Sequence, residues 1–278
     1  MIFWRKSNRH SRCMEVSEMD LRAAPHYPDA HDLLQGRRAV ITAAAGTGIG
    51  FATAKRFAEE GAEILISDSH QARLEQAAEQ LSTDTGARVE LCHCDVTCQA
   101  DVDALFIKAH EAFGAPDVVI NNAGLGGTAN IIEMSDETWL KVLDVTLNGT
   151  FRMTRAAMQA MTGAGGVIVN NASVLGWRAQ IGQAHYAAAK AGVMALTRCA
   201  GLEGASLGIR VNAVAPSLAM HPFLAKVTSD ALLAELTERE AYGRPAEVWE
   251  VANVIVFLAS NYSSYMTGET VAVSSQRA

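Results

Sequence analysis

The chain has 278 residues, 49% of them apolar and 19% charged, and a net charge of −7. This composition belongs to a globular protein long enough to bury its own core, and the length suits one α/β domain better than two. Beyond the first dozen positions the basic residues are scattered, which excludes a nucleic-acid surface. No run reaches the roughly 18 to 20 apolar residues of a membrane span, so no membrane association is expected.

Five cysteines are present, and Cys92, Cys94 and Cys98 crowd one segment. A disulfide framework does not suit a chain of this size, so the expected setting is a reducing cytoplasm with thiols packed as small hydrophobes. Cys92-His93-Cys94 lacks the paired spacing of a zinc site, and no metal is expected. Residues 1–18 are polar and basic, with an apolar cluster only at Ile2, Phe3 and Trp4, too short for a secretory signal. They read as an appendage, removable without loss of activity or stability, to a folded unit spanning 19–278.

In chain order, Arg38–Ala43 reads as a strand, Ile49–Glu60 as a helix, Glu63–Asp68 as a strand and Gln71–Leu81 as a helix. Val89–Cys94 is a strand, Gln99–Phe113 a helix and Asp117–Asn121 a strand. A long helix from about Asp136 to Met161 follows, then strand Gly166–Asn171, helix Ala184–Leu207 and strand Ile209–Ala213. Helix Pro245–Ala259 and strand Thr270–Ser274 close the pattern. The strands are short and continuously apolar, as strands buried on both faces are. Their alternation with helices predicts a Rossmann-type, doubly wound parallel sheet in one α/β domain, with helices on both faces. Only residues 217–242 break the rhythm, in the manner of a lid over a substrate site.

Between the first strand and helix lies Thr42-Ala43-Ala44-Ala45-Gly46-Thr47-Gly48-Ile49-Gly50. Glycines in this place let backbone approach a pyrophosphate, and the helix start supplies unpaired N–H groups and a positive dipole. Asp68 ends the second strand 20 residues after Gly48, where a carboxylate accepts from ribose hydroxyls and repels a 2′-phosphate. Ser69 and His70 follow it with no Arg or Lys alongside, which favours NAD over NADP. A solvated cap aspartate is the bland alternative.

Tyr186 and Lys190 stand four apart on a predicted helix and so share one face. A phenol with an unperturbed pKa near 10 is a poor base at neutral pH, and a neighbouring ammonium favours the phenolate. Ser173 closes a strand at the sheet's C-terminal edge, and its hydroxyl can donate to and accept from a substrate oxygen. A Tyr/Lys pair by itself is common on ordinary helices; the combination with loop, carboxylate and serine is specific.

With these motifs in order, the sequence resembles the short-chain dehydrogenase/reductase family from about Leu34 to Val273. The resemblance includes the glycine loop (Gly46, Gly48, Ile49, Gly50), the Asp95-Val96 pair placed at the adenine, and Asn121-Asn122-Ala123-Gly124 beside the cofactor. It continues through Ser173, Tyr186, Lys190, the Arg210–Pro216 strand and Phe257–Ser260. It implies hydride transfer between a substrate carbon and a nicotinamide. Tyr186 would be the acid or base, Lys190 would bind the nicotinamide ribose, Ser173 would orient the substrate oxygen, and Pro216 would border the cofactor. It also implies a homotetramer built on Trp139–Met161 and Ala184–Leu207.

The chain departs from that pattern in several places. Ala43 replaces the first glycine of a loop one residue longer than usual, and is expected to hold the turn with negative φ. Thr146 stands where an asparagine usually completes a catalytic tetrad, and Asn148 falls on another helix face. His221 replaces a threonine, Ser217 a glycine, and Ser274-Ser275-Gln276 the terminal D-G-G. These features look like an actinobacterial subgroup that serves late sterol breakdown and acts on hydroxy or oxo bicyclic C/D-ring intermediates as coenzyme A thioesters. Leu125, Trp177, Met220, His221 and Phe223 then border an apolar substrate pocket, and Arg178 pairs with a coenzyme A phosphate or is an ordinary surface arginine. The rival readings are a 3-oxoacyl-thioester reductase and, from another class, a non-catalytic sensor of NAD(H).

Overall fold

The computed structural model describes residues 22–222, 224 and 228–276. The expected appendage at 1–18 and the candidate substrate residue Phe223 lie outside the described residues. Seven strands form one parallel sheet in the order β3-β2-β1-β4-β5-β6-β9. They are β1 Arg38–Thr42, β2 Glu63–Asp68, β3 Val89–His93, β4 Val118–Asn121, β5 Gly166–Asn171, β6 Ile209–Pro216 and β9 Thr270–Val273. The helices are α1 Ile49–Glu59, α2 Gln71–Thr85, α3 Gln99–Phe113, α4 Asp136–Leu143, α5 Gly149–Met161, α6 Ala184–Ala205, α7 Asp230–Glu238 and α8 Val248–Ala259.

Side-chain alternation along the strands divides the core into two layers. Ala39, Ile41, Val118, Ile120, Val167 and Val169 face Phe57, Leu74, Leu81 and Ile255 of α1, α2 and α8. Val40, Val119 and Ile168 face Leu105, Met153 and Met161 of α3 and α5, together with Ala200 of α6. Both faces are therefore buried, which is why these strands read as unbroken apolar runs. The chain winds outward one way from β1 through β2 and β3, then the other way from β4 onward. The crevice at that reversal, outside the strands' C-terminal ends, is where such sheets bind ligands.

Four local differences from the sequence pattern have physical causes. Asp136–Met161 is two helices joined by a π-helical turn at Asp144–Asn148, an extra residue that periodicity does not report. β6 runs on to Pro216, because Ala215 and Pro216 pair with Ala272 and Val273. α8 starts at Val248 rather than Pro245, fixed by a capping box in which Glu247 and Glu250 each accept from the other's backbone. The segment 217–242 carries structure of its own: β7 Ala219–Met220, which pairs with β8 Ala246–Glu247, and α7.

Ahead of β1, residues 22–33 strap the outside of α1. The Arg56 guanidinium donates to the carbonyls of Pro28 at 2.5 Å and Asp29 at 2.8 Å. Buried Glu60 pairs with Arg56 and accepts from the His31 and Leu33 amides, both at 2.9 Å. Burial alone would raise the Glu60 carboxyl, but those amides and the guanidinium outweigh it and hold the group below its ordinary value. Tyr27 lays its ring edge-on to Trp249 of α8 with centroids 5.3 Å apart.

Candidate active site

The glycine-rich loop is pinned from below by the end of β4. Thr42 Oγ1 accepts from the amides of Asn122 at 2.9 Å and Ala123 at 3.1 Å. Asn122 Nδ2 donates in turn to the Thr42 carbonyl at 3.2 Å and the Ala43 carbonyl at 3.1 Å. A side chain at Gly50 would put its Cβ 2.3 Å from the Ala43 oxygen, so only glycine lets α1 come this close to the loop. Ala43 does not keep the negative φ expected of it. It sits at +50°, in the left-handed region, because the loop must turn there to clear α1.

Gly46, at φ +118°, and Gly48 face open space. Gly48 caps α1 with no side-chain hydrogen bond, and no acidic residue occupies the first turn. Unpaired amides, a positive helix end and room for backbone contact suit a pyrophosphate. These residues fit a dinucleotide, with Ile49 opening the helix behind them.

Asp68 accepts from the Ala45 amide at 3.3 Å and the His70 amide at 3.0 Å. The sequence placed no cation beside it, yet the first turn of α2 brings Arg73 to 3.8 Å. Five residues is a long separation in an extended chain and a short one across a turn. Asp95 spends one carboxylate oxygen on Thr97, accepting its amide at 2.9 Å and its hydroxyl at 2.7 Å. Val96 is buried against Gly149, where an added Cβ would stand 2.6 Å away.

Ser173, Tyr186 and Lys190 converge at the sheet's C-terminal edge. Ser173 is buried at the end of β5, and its Oγ accepts from the Leu175 amide at 3.2 Å. It also lies close enough to the Tyr186 phenol to lower that group's pKa. The Lys190 ammonium lies 5.5 Å from the centre of the Tyr186 ring and donates to the Asn171 carbonyl. Gly124 backs it: an added Cβ would meet Lys190 Nζ at 3.4 Å. Burial pushes the Tyr186 phenol up to about 12, against a lowering by Ser173, and pushes the Lys190 ammonium down to about 7. Desolvation dominates both groups, and the activation expected from the ammonium is not seen.

Thr146 is fully buried in the π-helical turn, accepts from the Leu125 amide at 3.0 Å and donates to the Leu125 carbonyl at 3.2 Å. Asn148 is exposed and bonds Asp144, on another face as its spacing implied. Reasoning from sequence missed His185. Fully buried beside Tyr186, it accepts the Tyr186 amide at 2.9 Å on Nδ1 and has no partner at Nε2. Nothing in the sequence separates it from a core residue.

Of the candidate substrate residues, Leu125, Met220 and His221 are half-buried and Trp177 is 54% exposed. Burial pushes the His221 imidazole down. Pro216 is buried at the end of β6. Arg178 is half-buried and donates to the Gln276 side chain near the C-terminus. Nearby, a cleft of about 470 Å³ opens between the loops after β4 and β5, lined by Ile131, Ile132, Ile181 and Ala187.

What this fold and these groups define is a nicotinamide-dependent oxidoreductase of one domain. Residues 43–275 match the family model described as enoyl-(acyl carrier protein) reductase. A Mycobacterium tuberculosis protein named (5R,7aS)-5-hydroxy-7a-methyl-1-oxo-2,3,5,6,7,7a-hexahydro-1H-indene-carboxyl-CoA reductase is 56% identical, over 93% of this chain and 99% of that one. A 3-oxoacyl-[acyl-carrier-protein] reductase of Chlamydia muridarum is 37% identical, over 87% of this chain and 98% of that one. The crystal structure of a short-chain dehydrogenase from Mycobacterium smegmatis matches with a TM-score of 0.83 at 54% identity, covering 93% of this chain and all of that one. The chain belongs to the short-chain dehydrogenase/reductase family.

Proposed function

We propose that this protein is an NAD-dependent dehydrogenase/reductase that interconverts a secondary alcohol and a ketone on an apolar ring carried as a coenzyme A thioester, of the sterol C/D-ring kind. The observation that carries the chemistry is the convergence of buried Ser173 and Lys190 on Tyr186 at one sheet edge, with the Lys190 ammonium 5.5 Å from the centre of the Tyr186 ring. The substrate class rests on the 56% identity to the indene-carboxyl-CoA reductase.

When bound, the nicotinamide ring supplies or accepts the hydride. The protein's own part is to hold the substrate oxygen and move one proton. Ser173 holds that oxygen beside the Tyr186 hydroxyl, which gives up its proton in reduction and takes it back in oxidation. A phenol near 12 is well suited to the neutral, donating form. Lys190, held by the Asn171 carbonyl, sets the charge beneath it and would reach the nicotinamide ribose. Gly46, Gly48, Ile49 and Gly50 would hold the pyrophosphate, Asp68 the adenosine ribose, Asp95 and Val96 the adenine, and Asn122, Ala123, Gly124 and Pro216 the nicotinamide half. Leu125, Trp177, Met220 and His221 would border the ring substrate.

Asp68 supports NAD; Arg73 at 3.8 Å is the feature that would favour a 2′-phosphate. Turnover of ring alcohols and of linear 3-oxoacyl thioesters, each with NAD and NADP, tests the reading. Preference for linear substrates would support the 3-oxoacyl reductase alternative, for which the 37% identical relative speaks. Tyr186→Phe should lower kcat by about 10²–10⁴-fold while NADH still binds; full turnover in that variant refutes the mechanism. A non-catalytic NAD(H) sensor would have no use for the three groups.

We infer a homotetramer at work in the cytoplasm. Leu140, Phe151 and Leu202, on α4, α5 and α6, are 61%, 45% and 80% exposed, a surface suited to burial between subunits. Light scattering on the purified protein checks the assembly.

A further inference from the structure

The buried and half-buried arginines of this protein differ in what neutralises them. Arg38, Arg56, Arg152 and Arg244 each hold a carboxylate. Arg210 is surrounded by four oxygens, from Leu258, Ser260, Ser263 and Met266. Arg178 has neither. Among the described residues no carboxylate lies within ion-pair distance of it, and its side-chain partner is the neutral amide oxygen of Gln276. A half-desolvated guanidinium without a counter-charge is costly, and one that borders a binding crevice suits an anion that arrives from outside.

Among the described residues, the surroundings hold that cation in place and give it no counter-charge. Arg178 follows Ser173 by five residues, on the loop that leaves the catalytic edge, and its amide donates to the Val174 carbonyl at 2.9 Å. Gln276 is fixed from two sides: it bridges Glu240 in antiparallel fashion, and its amide donates to Ser274 Oγ at 3.1 Å. The carboxylate on the facing segment, Glu240, is buried and turned away. It accepts from Ser275 Oγ at 2.7 Å and from the Leu218 amide at 3.4 Å. One amide oxygen occupies part of the guanidinium fork and leaves other N–H groups for a ligand.

We propose that Arg178 recognises an anionic group of the substrate, a phosphate or a carboxylate, and that Gln276 is its positioning residue. This rests on the ring-alcohol reading above and adds which part of the substrate is read, and by what. Gln276 has this role because it is neutral: glutamate there would tie the tail equally well but would fill Arg178 with an internal counter-ion.

The test uses the full-length protein and three probes: a hydroxycyclohexanecarboxylate, its coenzyme A thioester and its uncharged methyl ester. Arg178→Leu and Gln276→Glu should each raise the KM for an anionic probe relative to the methyl ester by about tenfold or more, with kcat changed by less than about twofold. Gln276→Asn should fall between them and the unaltered enzyme. A rise confined to the thioester assigns the anion to a coenzyme A phosphate; a rise confined to the free acid assigns it to a ring carboxylate. A Gln276→Glu enzyme with unaltered KM ratios makes the tail a plain tether and overturns the proposal, as do equal KM changes on all three probes. Failure of the unaltered enzyme on every probe overturns the parent reading and this one with it, whereas methyl ester turnover with flat ratios removes this one alone.

Discussion

Ala43 shows how far single residues of the site are legible. Its place in the loop is plain from sequence, yet the sign of its φ depends on how the loop closes over α1, and the structure puts it at +50°. An L-residue there costs roughly 1–2 kcal/mol, of which glycine's greater freedom in the unfolded chain recovers only part. Ala43→Gly should therefore stabilise the protein by up to about 1 kcal/mol, seen as a higher denaturant midpoint with unchanged slope. Ser173, Tyr186 and Lys190 were readable because helix spacing and strand ends are local properties. Arg73 was not, since its approach to Asp68 needs the turn into α2, and Gln276 reaches Arg178 only through the way the C-terminal tail lies on residues 240–241.

Among the elements, the strands were read closely because burial on both faces writes itself as unbroken apolar runs. The π-helical turn between α4 and α5 left only a shift of about 100° in the apolar face, hard to see beside a helix as short as Asp136–Leu143. That turn places Thr146 against both polar groups of Leu125, at the position where the family carries an asparagine. The threonine thus shapes the wall of the site through backbone. Thr146→Val keeps the volume and removes both bonds. It should cost about 1–3 kcal/mol in thermal unfolding, and it should raise KM through Leu125 more than it lowers kcat. Equal loss in kcat alone would mean that Thr146 acts on the proton itself.

For the molecule as a whole, the fold class was legible from alternation alone, whereas the strap at 22–33 was not, having no periodicity. It covers the Arg56–Glu60 pair on the outer side of α1, the helix whose other end adjoins the glycine-rich loop. Glu60→Ala would leave buried Arg56 with only the Glu59 carboxylate, 3.9 Å away, and should destabilise by up to about 3–5 kcal/mol in calorimetry. A loss under about 1 kcal/mol would show that Glu59 and the strap's carbonyls suffice to satisfy it.

The asparagines at the ends of β4 and β5 give the crevice a common backbone of contacts. Asn171 Nδ2 donates to Asn122 Oδ1 at 2.8 Å, Asn122 holds the Ala43 carbonyl, and the Asn171 carbonyl takes the Lys190 ammonium. The loop proposed to grip a diphosphate and the residues proposed to set the proton donor are therefore fastened to one rail. An engineer who reshapes the loop to admit a different nucleotide should expect the acid–base machinery to drift with it, and would do well to repair both ends of that rail together.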